Sequence, residues 1–220
     1  VIINSPNNPS GVVFRKETLE QVAAILTKKS AEFGKPIYLI SDEPYRELVY
    51  DGIEVPWVPS IYKDTIVCYS YSKSLSLPGE RMGYIYIPSD MTDAKEVFAA
   101  VAGASRVMGH VCSPTLIQRV VTRCAYEKPD LEAYDNNRKL LYHGLKKIGY
   151  ECAYPDGAFY LFVKAPGGDA VAFSEKCKQK NLLVVPSDDF GVKGYFRLCY
   201  CVAKETIEKS LPIFEEVFSS

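Results

Sequence analysis

The 220 residues suffice for one large domain or two small ones with a substantial core. At 47% hydrophobic and 24% charged, the chain sits in the ordinary globular range, which excludes a disordered, collagen-like or coiled-coil protein. Lysine and arginine number 26 against 27 aspartates and glutamates, a net charge of −1, so no global field exists to hold nucleic acid or an anionic membrane.

In chain order, short β-branched runs alternate with amphipathic runs, the pattern of a parallel sheet covered by helices, so the expected fold class is α/β. Residues 1–3 read as a strand, and Leu19, Val22, Ala23 and Leu26 then recur at helical spacing. Further strands fall at 37–40, 65–69 and 84–87. Helical patterns run from about Thr92 to about Lys147, broken near Gly109 and at Pro129, and the last of them, from near Asp130, bridges two domains. Beyond Gly149 come a strand at 158–163, a helix from about Asp169, strands at 183–185 and 195–200, and a terminal helix from about Lys204. The expected organisation is a mostly parallel sheet flanked by helices over 1–130, then a smaller α+β domain over 131–220 that includes the bridging helix.

No apolar run reaches the roughly 18 residues of a membrane span, and the opening lacks a basic leader region. The 7 cysteines include no CxxC pair, which favours reduced thiols in a cytoplasmic protein. Cys199 and Cys201 lie two apart on a predicted strand and so share a face, where small core residues are the expected role. His110 and His143 suggest neither a triad nor a metal site, and Trp57 and Tyr62 read as packing residues.

Four segments stand at predicted strand ends, where open α/β sheets place ligands. NSPNNPSG (4–11) follows the first strand, SDEPY (41–45) the second and SYSK (70–73) the third, with Arg81 and Gly83 just beyond; Arg197 lies near the C-terminus. Singly, each is a turn, a cap or a solvated charge. Together they supply an amine nucleophile, hydroxyls and a guanidinium suited to phosphate, and a carboxylate suited to a cationic nitrogen.

The segments NSPNNPSG, SDEPY, SYSKSLSLPGERMGY, PDGAFYLF and FRLCY, in this order over nearly the whole chain, resemble the fold-type I aminotransferases, specifically the class I/II aspartate aminotransferase-like family. Ser10 stands where threonine is common in the family, Glu80 where an aromatic often precedes the arginine, and Ser187 where glycine is frequent. The resemblance implies pyridoxal 5′-phosphate (PLP) as cofactor. It makes Lys73 the catalytic Schiff-base lysine, which then moves a proton between the substrate α-carbon and the cofactor C4′. It sets Asp42 against the pyridine nitrogen, Tyr45 and Asn8 on the ring oxygen, and Ser70, Ser72 and Arg81 on the phosphate. Arg197 takes the substrate α-carboxylate.

The implied function is an aminotransferase passing an amino group from an L-amino acid, aspartate or a similar one, to a 2-oxo acid such as 2-oxoglutarate, in a cytoplasmic homodimer with no nucleic acid or membrane partner. Two alternatives use the same anchors: a PLP-dependent lyase of this fold, and the PLP-binding sensor domain of a transcription regulator. The family carries an upstream stretch that supplies further parts of both domains, so these residues are expected to be the second portion of a longer chain and to be inactive, or nearly so, alone.

Overall fold

The structure is a computed structural model and describes residues 1–219. These residues gather into two compact units: one of Val1–Pro6, Val13–Glu47 and Glu54–Pro129, the other of Asn7–Val12, Leu48–Ile53 and the chain from Asp130 onward.

The first unit contains β1 (Ile2–Asn4), α1 (Lys16–Phe33), β2 (Leu39–Asp42), β3 (Thr65–Ser70), α2 (Tyr71–Ser74), β4 (Gly83–Tyr86), α3 (Ala94–Val107) and α4 (Thr115–Cys124). Its sheet runs β1-β2-β3-β4, an α/β arrangement. The helical spacing of Leu19, Ala23 and Leu26 puts all three on one face of α1, where they bury against Leu39, Val58 and Tyr62. Tyr62 also donates its hydroxyl to Ile37 O at 2.7 Å, a polar end satisfied inside an apolar cluster.

Strands β1, β2 and β3 are parallel, whereas β4 pairs antiparallel with β3, so the sheet is mixed. The link from β3 to β4 is spent on α2 and a 3₁₀ turn at Pro78–Glu80, which doubles the chain back rather than crossing it over. That return needs Gly83: a Cβ there would lie 2.3 Å from Tyr69 O.

The second unit contains α5 (Leu131–Ile148), β5 (Tyr160–Lys164), α6 (Ala170–Gln179), β6 (Val185–Pro186), β7 (Tyr195–Cys199) and α7 (Lys204–Phe218). Its three strands run antiparallel in the order β5-β7-β6. Tyr150, Phe173, Phe196 and Phe214 pack as an aromatic core with neighbouring ring centroids 4.8 to 6.5 Å apart, and Tyr150 donates its hydroxyl to Phe214 O.

Two segments far upstream in sequence belong to this second unit, which a split at residue 130 does not capture. Residues 7–12 dock through Gly11, whose carbonyl accepts from Asp156 N and Gly157 N, both at 2.9 Å. Gly11 has φ 72, and a Cβ on it would meet Pro155 Cβ at 2.5 Å, so only glycine fits both the turn and the approach. Residues 48–53 are held by Arg138 of α5, 1% exposed, which donates to Asp51 and Pro155 O, each at 2.8 Å, and also to Asp135. No helix among the described residues is long and apolar enough to cross a membrane.

Candidate functional site

In the first unit, strand register sets the candidate groups. Asn4 pairs with Asp42, Asp42 with Cys68 and Cys68 with Ile85, so these four side chains form one cross-strand row on one face of the sheet. Asn4 and Asp42 are the last residues of β1 and β2, at the carboxyl edge where parallel sheets expose ligand sites. Asn4 Nδ2 donates to Asp42 Oδ2 at 3.0 Å. Burial raises the Asp42 carboxyl above its ordinary range, the Asn4 hydrogen bond offsets part of this, and the neighbouring charge of Glu43 raises it further. Asp42 is thus a desolvated carboxylate held by a neutral amide, an electrostatic environment that a cation would stabilise.

Glu43, one residue on, shows the opposite state. It is 1% exposed, but Ser41 Oγ donates to Oε1 at 2.7 Å and Arg46 Nη1 to Oε2 at 2.6 Å. Its charge is matched internally, and it fixes the turn that carries Tyr45.

Ser70 ends β3 in an extended conformation and caps α2, its Oγ accepting from Ser72 N at 3.1 Å and donating to Ser72 Oγ at 2.7 Å. The cap turns the chain so that Lys73 Nζ lies 5.8 Å from the centroid of the buried Tyr45 ring. The return segment is pinned beside α2 by the hydrogen bond from Tyr71 N to Met82 O at 3.1 Å. Next to Met82, the exposed Arg81 takes φ 53, a left-handed conformation uncommon outside glycine, and donates Nη1 to Pro78 O at 2.8 Å. A cavity of about 760 Å³ runs from Arg81, Cys68 and Gly83 past Ile85 toward Phe98 and Ser105 of α3, within the size range of small-molecule sites.

In the second unit, Arg197 sits on the central strand β7, opposite Phe162 of β5 and Val185 of β6. Its guanidinium carbon lies 4.4 Å from the Tyr160 ring centroid and 5.0 Å from that of Phe190, and Nη1 donates to Asn8 Oδ1 at 2.7 Å. Stacking between two rings holds the fork in one plane, the geometry that carboxylates bind bidentately. Asn8 and Arg197 are thereby brought together within the second unit, and Lys73 and Tyr45 within the first.

Sequence reasoning gave Ser187 and Glu47 no part in shaping these groups. Phe190 is set by Ser187, fully buried, whose hydroxyl donates to Val192 O and accepts from Tyr195 N at 3.1 Å. The serine in place of a common family glycine therefore ties down the turn that stacks on Arg197. Glu47 has a buried Oε2 with no hydrogen-bond partner among the described residues. Burial first, then chiefly the charge of Glu47, pushes the Tyr69 and Tyr71 hydroxyls above their usual range. A glutamate in the run Arg46-Glu47-Leu48 reads as solvated, and nothing local to it marks the carboxylate as enclosed. Trp57 packs on Tyr86 at 5.5 Å and beneath Arg46 at 5.3 Å.

Residues 1–212 match the model of the family described as aminotransferase class I and II. The chain is 31% identical to the aspartate/prephenate aminotransferase of Thermus thermophilus over 99% of its own length and 56% of that protein's. It is 28% identical to aromatic-amino-acid aminotransferase 2 of Thermococcus litoralis, over 99% and 56%. Among solved structures, an aminotransferase from Eubacterium rectale superposes with a TM-score of 0.95 at 54% identity, covering 99% of this chain and 55% of that one. The aspartate aminotransferase of Thermotoga maritima gives a TM-score of 0.85 at 31% identity, over 100% and 56%. The chain thus spans about half the length of the relatives it matches.

Aminotransferases of this type depend on pyridoxal phosphate, and the groups described fit that cofactor. A protonated pyridine nitrogen is the cation that would relieve the desolvated Asp42, the Ser70 and Ser72 hydroxyls with the Arg81 guanidinium would suit a phosphate, and Lys73 would supply the amine. With a family match over nearly its whole length and the expected chemistry at its strand ends, the chain belongs to the class I and II aminotransferases.

Proposed function

We propose that this chain carries the cofactor anchors and the substrate-carboxylate anchor of a pyridoxal phosphate-dependent aminotransferase. The enzyme would transfer the amino group of an L-amino acid, aspartate or a close analogue, to a 2-oxo acid such as 2-oxoglutarate. The observation that carries this reading is Asp42: a carboxylate at a parallel strand end that accepts from the neutral Asn4 amide, and that burial and the repelling charge of Glu43 raise, is poised for a cationic ring nitrogen.

Bound pyridoxal phosphate supplies an electron sink for the pair left when the substrate α-proton departs. Asp42 would keep a bound ring nitrogen protonated. Tyr45 and Asn8 would hydrogen-bond the ring oxygen. Ser70, Ser72 and Arg81 would hold the phosphate. Lys73 would take the proton from the substrate α-carbon and return it at C4′, acting in turn as base and acid. Arg197 grips the α-carboxylate with its fork and orients the α-C–H bond for that transfer. The domains fit the same proposal, the first unit as part of the cofactor-binding domain and the second as the smaller C-terminal domain, in a cytoplasmic homodimer.

An amino-donor screen on the full-length, cofactor-loaded protein tests this. Aspartate or a near relative should bleach the cofactor's aldehyde-form absorbance and release one oxo acid per site, with the amino group retained until a 2-oxo acid is added. Release of ammonia in place of that retained amino group would contradict transamination and indicate a lyase.

A further inference from the structure

We propose that Cys199 and Cys201 form a redox-active dithiol that a small-molecule disulfide, such as glutathione disulfide, closes into an intrachain disulfide. Their sulfurs lie 2.9 Å apart, within about 1 Å of a disulfide bond length, and both residues are exposed. The sequence expectation of small core residues is thus corrected, and the cause is Tyr200 between them.

Tyr200 is fully buried, donates its hydroxyl to Ala158 O at 3.2 Å and its backbone N–H to Phe159 O at 3.0 Å. Asn137 Nδ2 donates to Tyr200 O at 3.1 Å and to Val202 O at 2.7 Å, clamping the chain on both sides of Cys201. Alternation then forces both cysteines outward together, since the residue between them points in. In an extended strand residues two apart have Cα atoms about 6.6 Å from each other, near the upper end of disulfide geometry. Both side chains leave the same face, and their sulfurs meet at 2.9 Å just where β7 ends at Cys199.

Three of the remaining thiols differ. Cys177 is buried and Cys152 half-buried, and burial pushes each thiol up to about 11, which keeps it protonated and inert; Cys68 is raised in the same way. The exposed pair has a second thiol held at contact distance, which makes the intramolecular step fast.

One cysteine thiolate attacks a sulfur of glutathione disulfide, breaking its S–S bond and expelling one glutathione thiolate. The second cysteine thiolate then attacks the protein-bound sulfur, forming the Cys199–Cys201 bond and expelling the other glutathione. Two protein thiols are oxidised, one small disulfide is reduced to two thiols, and the two protein protons pass to solvent or to the departing thiolates. A ring closed over so few residues is strained, and strained disulfides are the readily reduced ones, so the pair responds to the thiol poise rather than staying locked. Cys199 sits two residues along β7 from Arg197.

The test equilibrates the full-length, cofactor-loaded protein with graded ratios of reduced to oxidised glutathione, quenches with acid, alkylates with N-ethylmaleimide and maps peptides by mass. The expected result is a peptide spanning both cysteines that escapes alkylation, is two hydrogens lighter, and becomes doubly alkylated after treatment with dithiothreitol. In Cys201→Ser the closing thiol is gone, so a glutathione adduct should persist on Cys199 that the parent protein resolves. Double alkylation at an excess of glutathione disulfide, independent glutathione adducts on both cysteines of the parent, or a disulfide to Cys112 instead would overturn the proposal. So would protection of both thiols by a bound metal ion.

Discussion

Arg138 and Arg197 lie in the same unit and in similar aromatic surroundings, yet only one is available to a ligand. Each guanidinium sits between two rings, Tyr50 and Tyr154 at 4.3 and 4.4 Å for Arg138, Tyr160 and Phe190 at 4.4 and 5.0 Å for Arg197. Arg138 spends its donors on two carboxylates and a carbonyl, and its charge is cancelled. For Arg197, the hydrogen bond made among the described residues goes to a neutral amide oxygen, and the side chain is only half-buried. The first unit repeats the contrast with opposite sign: Glu43 is matched by the Arg46 cation and Ser41, whereas Asp42 accepts from the neutral Asn4 amide. Aromatic stacking and burial therefore do not mark a site; residual charge does.

The largest effect expected from this contrast falls on the satisfied arginine. Arg138→Ala should lower stability by about 3–5 kcal/mol, because Asp135 loses a buried partner and residues 48–53 lose their anchor; chemical denaturation of the full-length protein measures it. Carboxylate affinity per folded molecule should stay near that of the parent. A loss of affinity with intact stability would invert the comparison.

Asp42→Asn should reduce turnover by about 10²–10³-fold. Yet the cofactor-free protein should melt no lower than the parent. Folding raises the Asp42 pKa, so this group favours the folded state most below its unfolded value and opposes it once the pH rises through its folded value; the amide removes that opposition at neutral pH. A large drop in melting temperature would show that Asp42 is structural.

Arg197→Lys keeps the charge and removes the fork, and kcat/KM should fall about 10²-fold with an unchanged melting temperature. The smallest effect is acid sensitivity. Burial raises Asp135, but its hydrogen bonds to Lys139 and Arg138 prevail and hold it below the ordinary range. Its contribution is complete above about pH 4 and disappears as pH falls through the depressed folded value. Asp135→Asn should therefore narrow the stability difference between neutral pH and about pH 3, read from urea midpoints at both.

The difference between matched and residual charge also marks what could be read from sequence. β-branched runs placed the strands to within about two residues, since that pattern is local, while the short α2 was not foreseen; the strand-end residues were found because the chain turns where its apolar runs stop. The contact of Asn8 with Arg197 was not legible: it spans 189 positions and depends on Gly11 fitting against Pro155. Arg138 reads as one more basic residue on a helix until the fold brings Asp51 to it. The antiparallel return of β4 rests on a close approach at Gly83, and the outward cysteines on the deeper burial of Tyr200, both tertiary outcomes.

The central claim is that Lys73 carries the cofactor. Borohydride reduction of the full-length protein loaded with pyridoxal phosphate, followed by peptide mapping, tests it most directly. The account predicts one stable phosphopyridoxyl group per chain, on Lys73, and none in Lys73→Ala. A label on another lysine, or none in the parent protein, would contradict it.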